Sequence, residues 1–280
     1  MLKRNYYYLI AGFPDILLDD RKISFTLIEL KQELKYHLHP KDYQLVEYLF
    51  LQYDNFNFLN ILQKKEAEFN PLGNYSESFF NEEIKEPEKM PDYMKKFLEA
   101  FREENPIHAN LSLENQLTWL YFDYMLEQKN EFIRQWFSAL RNVNNIFAIY
   151  NARKYGLNIE NHMIGDYELT EAAKRTTAKD FGLANEFTHI DEIIGIFENN
   201  DILEQELSID LMKWKYLNNL NTFNYFTIEP VLAFVIEFMM VERWSKLDPK
   251  QSKKMFKKML NELENSIQFS KDFNIHEKRG

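Results

Sequence analysis

The histidines and nearby carboxylates are the residues of this chain best suited to acid–base or metal chemistry, and there are six histidines. His37 and His39 stand shortly before Asp42. Imidazole nitrogens and a carboxylate oxygen are ordinary zinc ligands, so these three residues suggest a metal site. Side chains two apart on a helix point in different directions, however. The spacing therefore favours the alternative interpretation, a helix that ends in polar residues.

A second group, His189 with Asp191 and Glu192, could form an acid–base cluster. Acidic residues at the start of a helix also complement its dipole, and the sequence favours that interpretation. The chain lacks the phosphate-binding, dinucleotide-binding and serine-nucleophile glycine motifs, and it has seven glycines and no cysteine. The sequence therefore predicts no catalytic, cofactor-binding or metal-binding residues.

Two segments of the chain resemble each other at a fixed offset. Residues 54–66 are DNFNFLNILQKKE and residues 142–154 are NVNNIFAIYNARK. In this alignment Asn57 meets Asn145, and Lys65 meets Arg153. Each segment has an asparagine near the start of an apolar helix and a basic residue eight positions later. The residues alone leave open whether this is an internal repeat or a chance match.

Charged residues near the end of the chain have two interpretations each. Glu242 and Arg243 follow a long apolar helix, where they could form a partly buried pair or an ion pair at a helix end. A basic stripe beyond them could contact an acidic partner or lipid headgroups, and it could equally be the solvated face of an amphipathic helix. The stripe consists of Lys250, Lys253, Lys254, Lys257 and Lys258.

The composition indicates a helical protein. Among 280 residues, 45% are hydrophobic, and there are 24 Phe and 16 Tyr but only 7 Gly and 8 Pro. So few turn-forming residues favour long helices over a many-stranded sheet. The net charge of −10 disfavours nonspecific binding to nucleic acid and to anionic lipid surfaces. We therefore expect a mainly all-α, multi-helical fold.

Apolar spacing predicts where the helices lie. Residues 5–13 are expected to be an extended apolar segment that could form a short strand. Residues 74–92, which are polar and acidic, are expected to be a loop or a lid. The longest apolar run, Val231–Val241, is too short for a membrane span of about 20 residues and contains Glu237, so it predicts a buried helix. The predicted helices are Ser24 to about His37, one from Asp42, about Asn55 to Glu68, Tyr93–Glu104, Leu113–Gly156 as one or two helices, Tyr167–Phe181, His189–Asn199, Ile202–Leu220, Glu229–Leu247 and Lys250–Phe269.

Three passages carry a family resemblance. They are YYYLIAGFPDILLDD at residues 6–20, YDNFNFLNILQKKEAEFNPLGN at residues 53–74, and VLAFVIEFMMVERWSKLDP at residues 231–249. They resemble an uncharacterised bacterial family encoded beside V-type ATPase genes. That family is similar, more distantly, to the central-stalk coupling subunit of V/A-type ATPases, which is designated C in prokaryotes and d in eukaryotes.

The similarity to the central-stalk coupling subunit depends on a repeated helix pattern: an acidic residue, then asparagine before a hydrophobic residue, then Arg or Lys two turns later. Asp54, Asn57 and Lys65 match it once, and Asn145 with Arg153 matches it again. The chain departs from the pattern in having Lys in the first copy instead of Arg, and Asn142 where the second copy would have an acidic residue. Glu242 and Arg243 resemble, loosely, the charges that end the last apolar helix of that subunit.

The resemblance implies one multi-helical domain over residues 1–280, a funnel of about three similar bundles with divisions near 1–105, 106–200 and 201–280. It implies a non-catalytic central-stalk subunit that links the rotor shaft to the membrane proteolipid ring for ion transport. Its partners would be the shaft subunits and the ring, with no nucleic acid, small-molecule substrate or cofactor. It would be cytoplasmic, held at the inner face of the membrane through the complex.

Two other interpretations remain open from the residues. One is an unrelated helical adaptor or scaffold protein. The other is a helical metal-dependent hydrolase that uses His37, His39 and Asp42. A funnel of similar bundles would favour the rotary ATPase interpretation over the adaptor, and a cleft joining those three side chains would favour the hydrolase.

Overall fold

The computed structural model describes residues 4–18, 25–184, 187 and 189–246, and the regular structure in this part of the chain is all helical. The predicted all-α fold class is thereby confirmed. The helices are α1 (Tyr7–Ala11), α2 (Leu27–His37), α3 (Pro40–Leu62), α4 (Glu77–Glu83), α5 (Asp92–Arg102), α6 (Leu113–Leu126), α7 (Glu131–Lys154), α8 (Glu168–Arg175), α9 (Ile190–Glu198), α10 (Ile202–Asn221) and α11 (Ile228–Ser245), with a short 3-10 turn at Ile159–Asn161.

The strand considered for residues 5–13 is wrong, because this segment forms the short helix α1. Its aromatic residues favour extended structure, but no strand in the described residues offers a partner for its backbone. The segment is instead anchored at its start, where the amide of Tyr6 donates to the carbonyl of Phe226 at 2.6 Å. The Tyr7 ring also contacts the Phe226 ring, with centroids 4.5 Å apart.

The break predicted near residue 55 is absent, because α3 runs unbroken from Pro40 to Leu62. Asp54 and Asn57 are poor helix formers in isolation, since their side chains compete for backbone hydrogen bonds. Here both side chains are buried and bonded to a neighbouring loop, so that competition does not arise. The predicted loop at residues 74–92 also contains a helix, α4, which Ser76 caps and which buries Phe80 against Phe58.

Several helices begin at a residue whose side chain caps the first turn. Thr26 caps α2 through a capping box with Glu29, while Ser24, the predicted start of this helix, lies outside the described residues. Asn130 caps α7 and separates it from α6, so the region Leu113–Gly156 contains two helices. The predicted helix at Lys250–Phe269 and its lysine stripe also lie outside the described residues.

Buried apolar side chains form two clusters. The larger lies among α2, α3, α5, α6 and α11 and includes Phe132–Phe137 from the first half of α7. The smaller joins the second half of α7 to α8 and α9. Helix α10 contributes side chains to both. These clusters do not follow the divisions at residues 105 and 200, so the three sub-bundles remain a prediction.

No helix among the described residues combines the length and apolar character needed to cross a membrane. In α11 the apolar run is instead packed against α2, α3 and α10. Val231, Val235 and Val241 are each fully buried there.

The aromatic core under α3 provides the first test. Phe58 is fully buried and contacts the rings of Phe80 and Phe97, whereas Phe56, two residues away, is half exposed. We expect Phe58→Ala to lower the free energy of unfolding by about 3 to 5 kcal/mol, because it leaves a cavity. Phe56→Ala should cost under about 1 kcal/mol. Urea unfolding followed by circular dichroism measures both, and equal losses would contradict this packing.

Candidate functional site

The side chain of Asn57 holds the loop that follows α3. Its Nδ2 donates to the carbonyl of Asn70 at 2.9 Å, and its Oδ1 accepts from the amide of the same residue at 2.8 Å. One amide group thus satisfies both backbone groups of one loop residue. Asn57 is 2% exposed, so its own amide group depends on these bonds in place of bonds to water.

Asp54, one turn earlier on α3, holds the next part of the same loop. Its carboxylate accepts from the amides of Asn74 and Tyr75 and from the Asn74 side chain, at 2.7 to 3.1 Å. Gly73 lies against it, and a Cβ there would stand 2.6 Å from Asp54 Oδ1 and 3.1 Å from Asn57 Nδ2. Only glycine fits this close approach, which accounts for one of the few glycines in the chain.

Lys31 of α2 reaches the same loop from the other side. Its ammonium donates to the carbonyls of Leu72 and Gly73 at 2.8 and 2.9 Å. Burial lowers the pKa of Lys31 to about 8, and burial raises the pKa of Asp54 to about 6 against the opposing effect of its hydrogen bonds. The charges serve to hold the backbone of residues 70–75 in place.

Asn145 makes the same pair of bonds in the second segment. Its Nδ2 donates to the carbonyl of Ile164 at 2.7 Å, and its Oδ1 accepts from the amide of Ile164 at 2.8 Å. Its Nδ2 also lies 3.0 Å from the Tyr167 hydroxyl. Gly165 follows with φ +84°, and a Cβ there would lie 3.3 Å from both Arg141 and Tyr167. In both segments, therefore, a buried asparagine clamps one residue of a loop that contains a glycine.

The basic residues aligned in the two segments have different settings. Lys65 lies beyond the end of α3, is exposed, and pairs with Glu114 at 3.3 Å. Arg153 is still on α7 and donates to the carbonyls of Ala173, Thr176 and Ala178 at the end of α8. A cation there satisfies carbonyls that the helix leaves without partners. The structure thus gives the two asparagines one role and the two basic residues different roles.

Asn142, where the repeated helix pattern would have an acidic residue, has no counterpart of the Asp54 contacts. Its Oδ1 is buried without a hydrogen-bond partner in the described structure. The neighbouring Arg141 instead stacks on the ring of Tyr167, 3.9 Å from its centroid. The two loops are therefore held alike at the asparagine and differently on either side of it.

Glu242 and Arg243 bind two different neighbours of α11. Glu242 accepts from the amide of Leu27, the first residue of α2, at 3.4 Å, and it pairs with Lys246. Arg243 pairs with Glu206 at 3.0 Å and with the buried Asp210, both on α10. Asp210 also accepts from the Trp244 indole at 2.8 Å. These charges therefore fix the end of α11 against α2 and α10.

Glu237 is a carboxylate with an unusual environment. It is partly buried on α11 and has no hydrogen-bond or ion-pair partner among the described residues. Burial alone raises the pKa of Glu237 to about 7. An unpaired carboxylate in an apolar helix lowers the stability of the fold when it ionises.

The side chains of the two histidine groups form hydrogen bonds and ion pairs with their neighbours in the described chain. His37 pairs with Glu33, whereas His39 and Asp42 both contact Arg4, and Asp42 also accepts from the Tyr6 hydroxyl. His37 therefore lies apart from the other two side chains in its contacts. His189 and Glu192 form an exposed contact at the start of α9. Among the residues described, no group of three His, Cys, Asp or Glu side chains is placed to hold a metal ion.

A family model described as "Protein of unknown function (DUF2764)" matches residues 3–267. The chain belongs to this family. Comparison of the chain with curated proteins and with solved structures found no match. The match covers both clamped loops, so the asparagine geometry lies within the part of the chain that defines its membership in DUF2764.

Several residues that shape this DUF2764 chain were not singled out from its sequence. Asp210 and Glu206 lie far from Arg243 in sequence, and no local pattern pairs them. Asn70 and Ile164 take part through backbone atoms, which any residue type offers. Gly73 had a usable signal, because a glycine two residues after Asn70-Pro71 in a glycine-poor chain indicates a constrained loop.

The clamps generate a prediction about stability. We expect Asn57→Ala and Asn145→Ala each to lower the free energy of unfolding by about 2 to 4 kcal/mol, because each leaves a backbone amide and carbonyl without partners. These backbone groups are buried at Ile164 and partly buried at Asn70. Lys65→Ala, which removes an exposed ion pair, should cost under about 1 kcal/mol. Urea denaturation compares the three variants. Asparagine variants as stable as Lys65→Ala would show that the clamps do not hold the loops.

Glu237 generates a prediction about pH. Its folded pKa lies above the unfolded value of 4.5, so its stabilising contribution is full at low pH and is lost as pH rises through about 7. We therefore compare the free energy of unfolding of Glu237→Gln with that of the wild type at two pH values. Between pH 5 and pH 8 this difference should change in favour of the variant by on the order of 1 to 2 kcal/mol. Thermal unfolding at both pH values measures this. The exposed Glu99→Gln is the control, and a pH-independent effect of Glu237→Gln would contradict the assignment.

Proposed function

We propose that this chain is a non-catalytic coupling subunit of a V/A-type rotary ATPase that links the rotor shaft to the membrane proteolipid ring. The observation that supports it most is the asparagine clamp used twice. The resemblance to the central-stalk coupling subunit rests on a repeated helix with an asparagine at a set place. Asn57 and Asn145 occupy that place on α3 and α7, and they make the same two bonds.

The order of helices around the clamps supports the same proposal. In each case a long helix is followed by a clamped loop and a short helix, α4 after α3 and α8 after α7. Two more helices follow in each case, and the second is the longer: α5 and α6 have 11 and 14 residues, and α9 and α10 have 9 and 20. Two units of the same order fit a protein built from similar helical bundles, as the resemblance implies.

The mechanical character of the fold also suits a coupling role. A part that carries torque must resist bending, and glycine-poor helices packed through aromatic side chains provide stiffness. The loops after α3 and α7 are bound to their helices by hydrogen bonds from the buried side chains of Asn57 and Asn145, so these loops are held in place as well as the helices. Under this proposal the chain works by contact with its partners, at a location on the inner face of the membrane.

Purification from native cells tests the proposal. With an affinity tag on the chain and membranes solubilised in mild detergent, we expect the proteolipid ring and shaft subunits to co-purify in fixed ratio. In cells that lack the chain, ATP hydrolysis by the head should persist while ATP-driven ion uptake into inverted vesicles is lost. The plasmid-borne wild-type chain should restore uptake. Coupled ion uptake that persists without the chain would refute the proposal.

A further inference from the structure

Two touching segments expose an unusual number of aromatic side chains. They are α1 and the loop between α10 and α11, joined by the Tyr6–Phe226 backbone bond and the Tyr7–Phe226 ring contact. We define the aromatic patch as the exposed aromatic residues of these segments. They are Tyr7, Tyr8, Phe223, Tyr225 and Phe226, with exposed fractions of 52, 97, 88, 68 and 42%.

The exposed area of the aromatic patch exceeds that of the apolar patches usual on a monomer. An aromatic side chain presents roughly 150 to 250 Å², so these five leave on the order of 700 Å² uncovered. The largest apolar patch on a typical monomer is about 300 to 600 Å². One side of a standard protein interface covers about 800 Å². The patch therefore has the size of one half of an interface.

Charge decides which occupant fits this surface. Residues 6–13 and 222–227 contain no Asp, Glu, Lys, Arg or His, in a chain whose net charge is −10. A charged peptide would lose water against the rings and gain no opposite charge there. A second copy of the chain meets these rings with uncharged rings of its own. Glu29 and Glu33 of α2, which line a groove with Tyr8, are carboxylates beside the patch.

We infer that the aromatic patch is the contact between two copies of this chain in a twofold dimer. Each copy would cover about 700 Å², for roughly 1,400 Å² in total, within the range of stable interfaces. The tyrosine hydroxyls can stay at the wet rim while the rings pack, as tyrosine does at interfaces. The inference goes beyond the proposed function and does not rest on it.

Sedimentation of the full chain tests the inference. From 1 to 100 µM we expect the wild type to show a monomer–dimer equilibrium. The double variant Tyr8→Ser with Phe223→Ser should weaken it at least tenfold. The matched control is Tyr36→Ser with Tyr155→Ser, which removes two tyrosines that are 85 and 68% exposed elsewhere, and it should dimerise like the wild type. Salt should strengthen the dimer, because it screens the repulsion between two acidic chains.

A wild type that stays monomeric to 100 µM would overturn the inference, as would equal dimerisation of the patch and control variants. Neutral phosphatidylcholine vesicles provide a further arm. Vesicle binding that the patch variant loses, with no dimer in solution, would assign the patch to lipid and overturn the dimer. None of these outcomes depends on whether the chain co-purifies with a rotary ATPase.

The absence of cysteine from the chain permits a second measurement. Residues close to a twofold axis meet their own copies, so Phe223→Cys should form covalent dimers with a short bis-maleimide at micromolar concentration. Tyr155→Cys should not. Cross-linking at residue 155 in place of residue 223 would contradict the proposed contact.

Discussion

The rest of the fold depends on buried amide side chains that bind the backbone of a loop. A long helix can pack its apolar face against others, but the chain that leaves it must satisfy its own amides and carbonyls. Asn57 and Asn145 solve this problem in the same way, since each supplies one donor and one acceptor to a single residue. The short helices α4 and α8 begin only a few residues after these clamps. Their position against the cores therefore depends on two amide groups.

The helical class and most helix positions could be predicted, because apolar spacing and the scarcity of glycine are local signals. The errors occur where long-range contacts override local preference. Residues 5–13 look extended, yet they form the helix α1. The described residues offer no strand beside this segment, and the carbonyl of Phe226 anchors its start. Asp54 looks like a helix breaker, yet its bonds to Asn74 and Tyr75 keep α3 continuous. Helix α4 was not predicted because its segment is polar and contains one fully buried apolar residue, Phe80, which is too few to produce a helical apolar pattern.

The candidate site was predictable in part for the same reason. Asparagine side chains are chemically specific, so the equivalent positions of Asn57 and Asn145 could be recognised by aligning the two segments of the sequence. The partners Asn70 and Ile164 were invisible, because they contribute only backbone atoms. Lys65 and Arg153 looked equivalent by position, but α3 ends before residue 65 while α7 continues past residue 153. Equal spacing in sequence means equal geometry only while both helices continue.

Two long helices, α7 and α10, connect the two apolar clusters, and this rigid connection is relevant to any mechanical role. Helix α7 has 24 residues, about 36 Å, and places Phe132 and Phe137 in the larger cluster but Ile146 and Ile149 in the smaller. Helix α10 also contributes to both, and Asp210 ties it to the end of α11. One cluster cannot rotate against the other without bending α7 or breaking the buried contacts of Asp210. A displacement applied at one cluster is therefore carried to the other through stiff helices, which is the property that a coupling role requires.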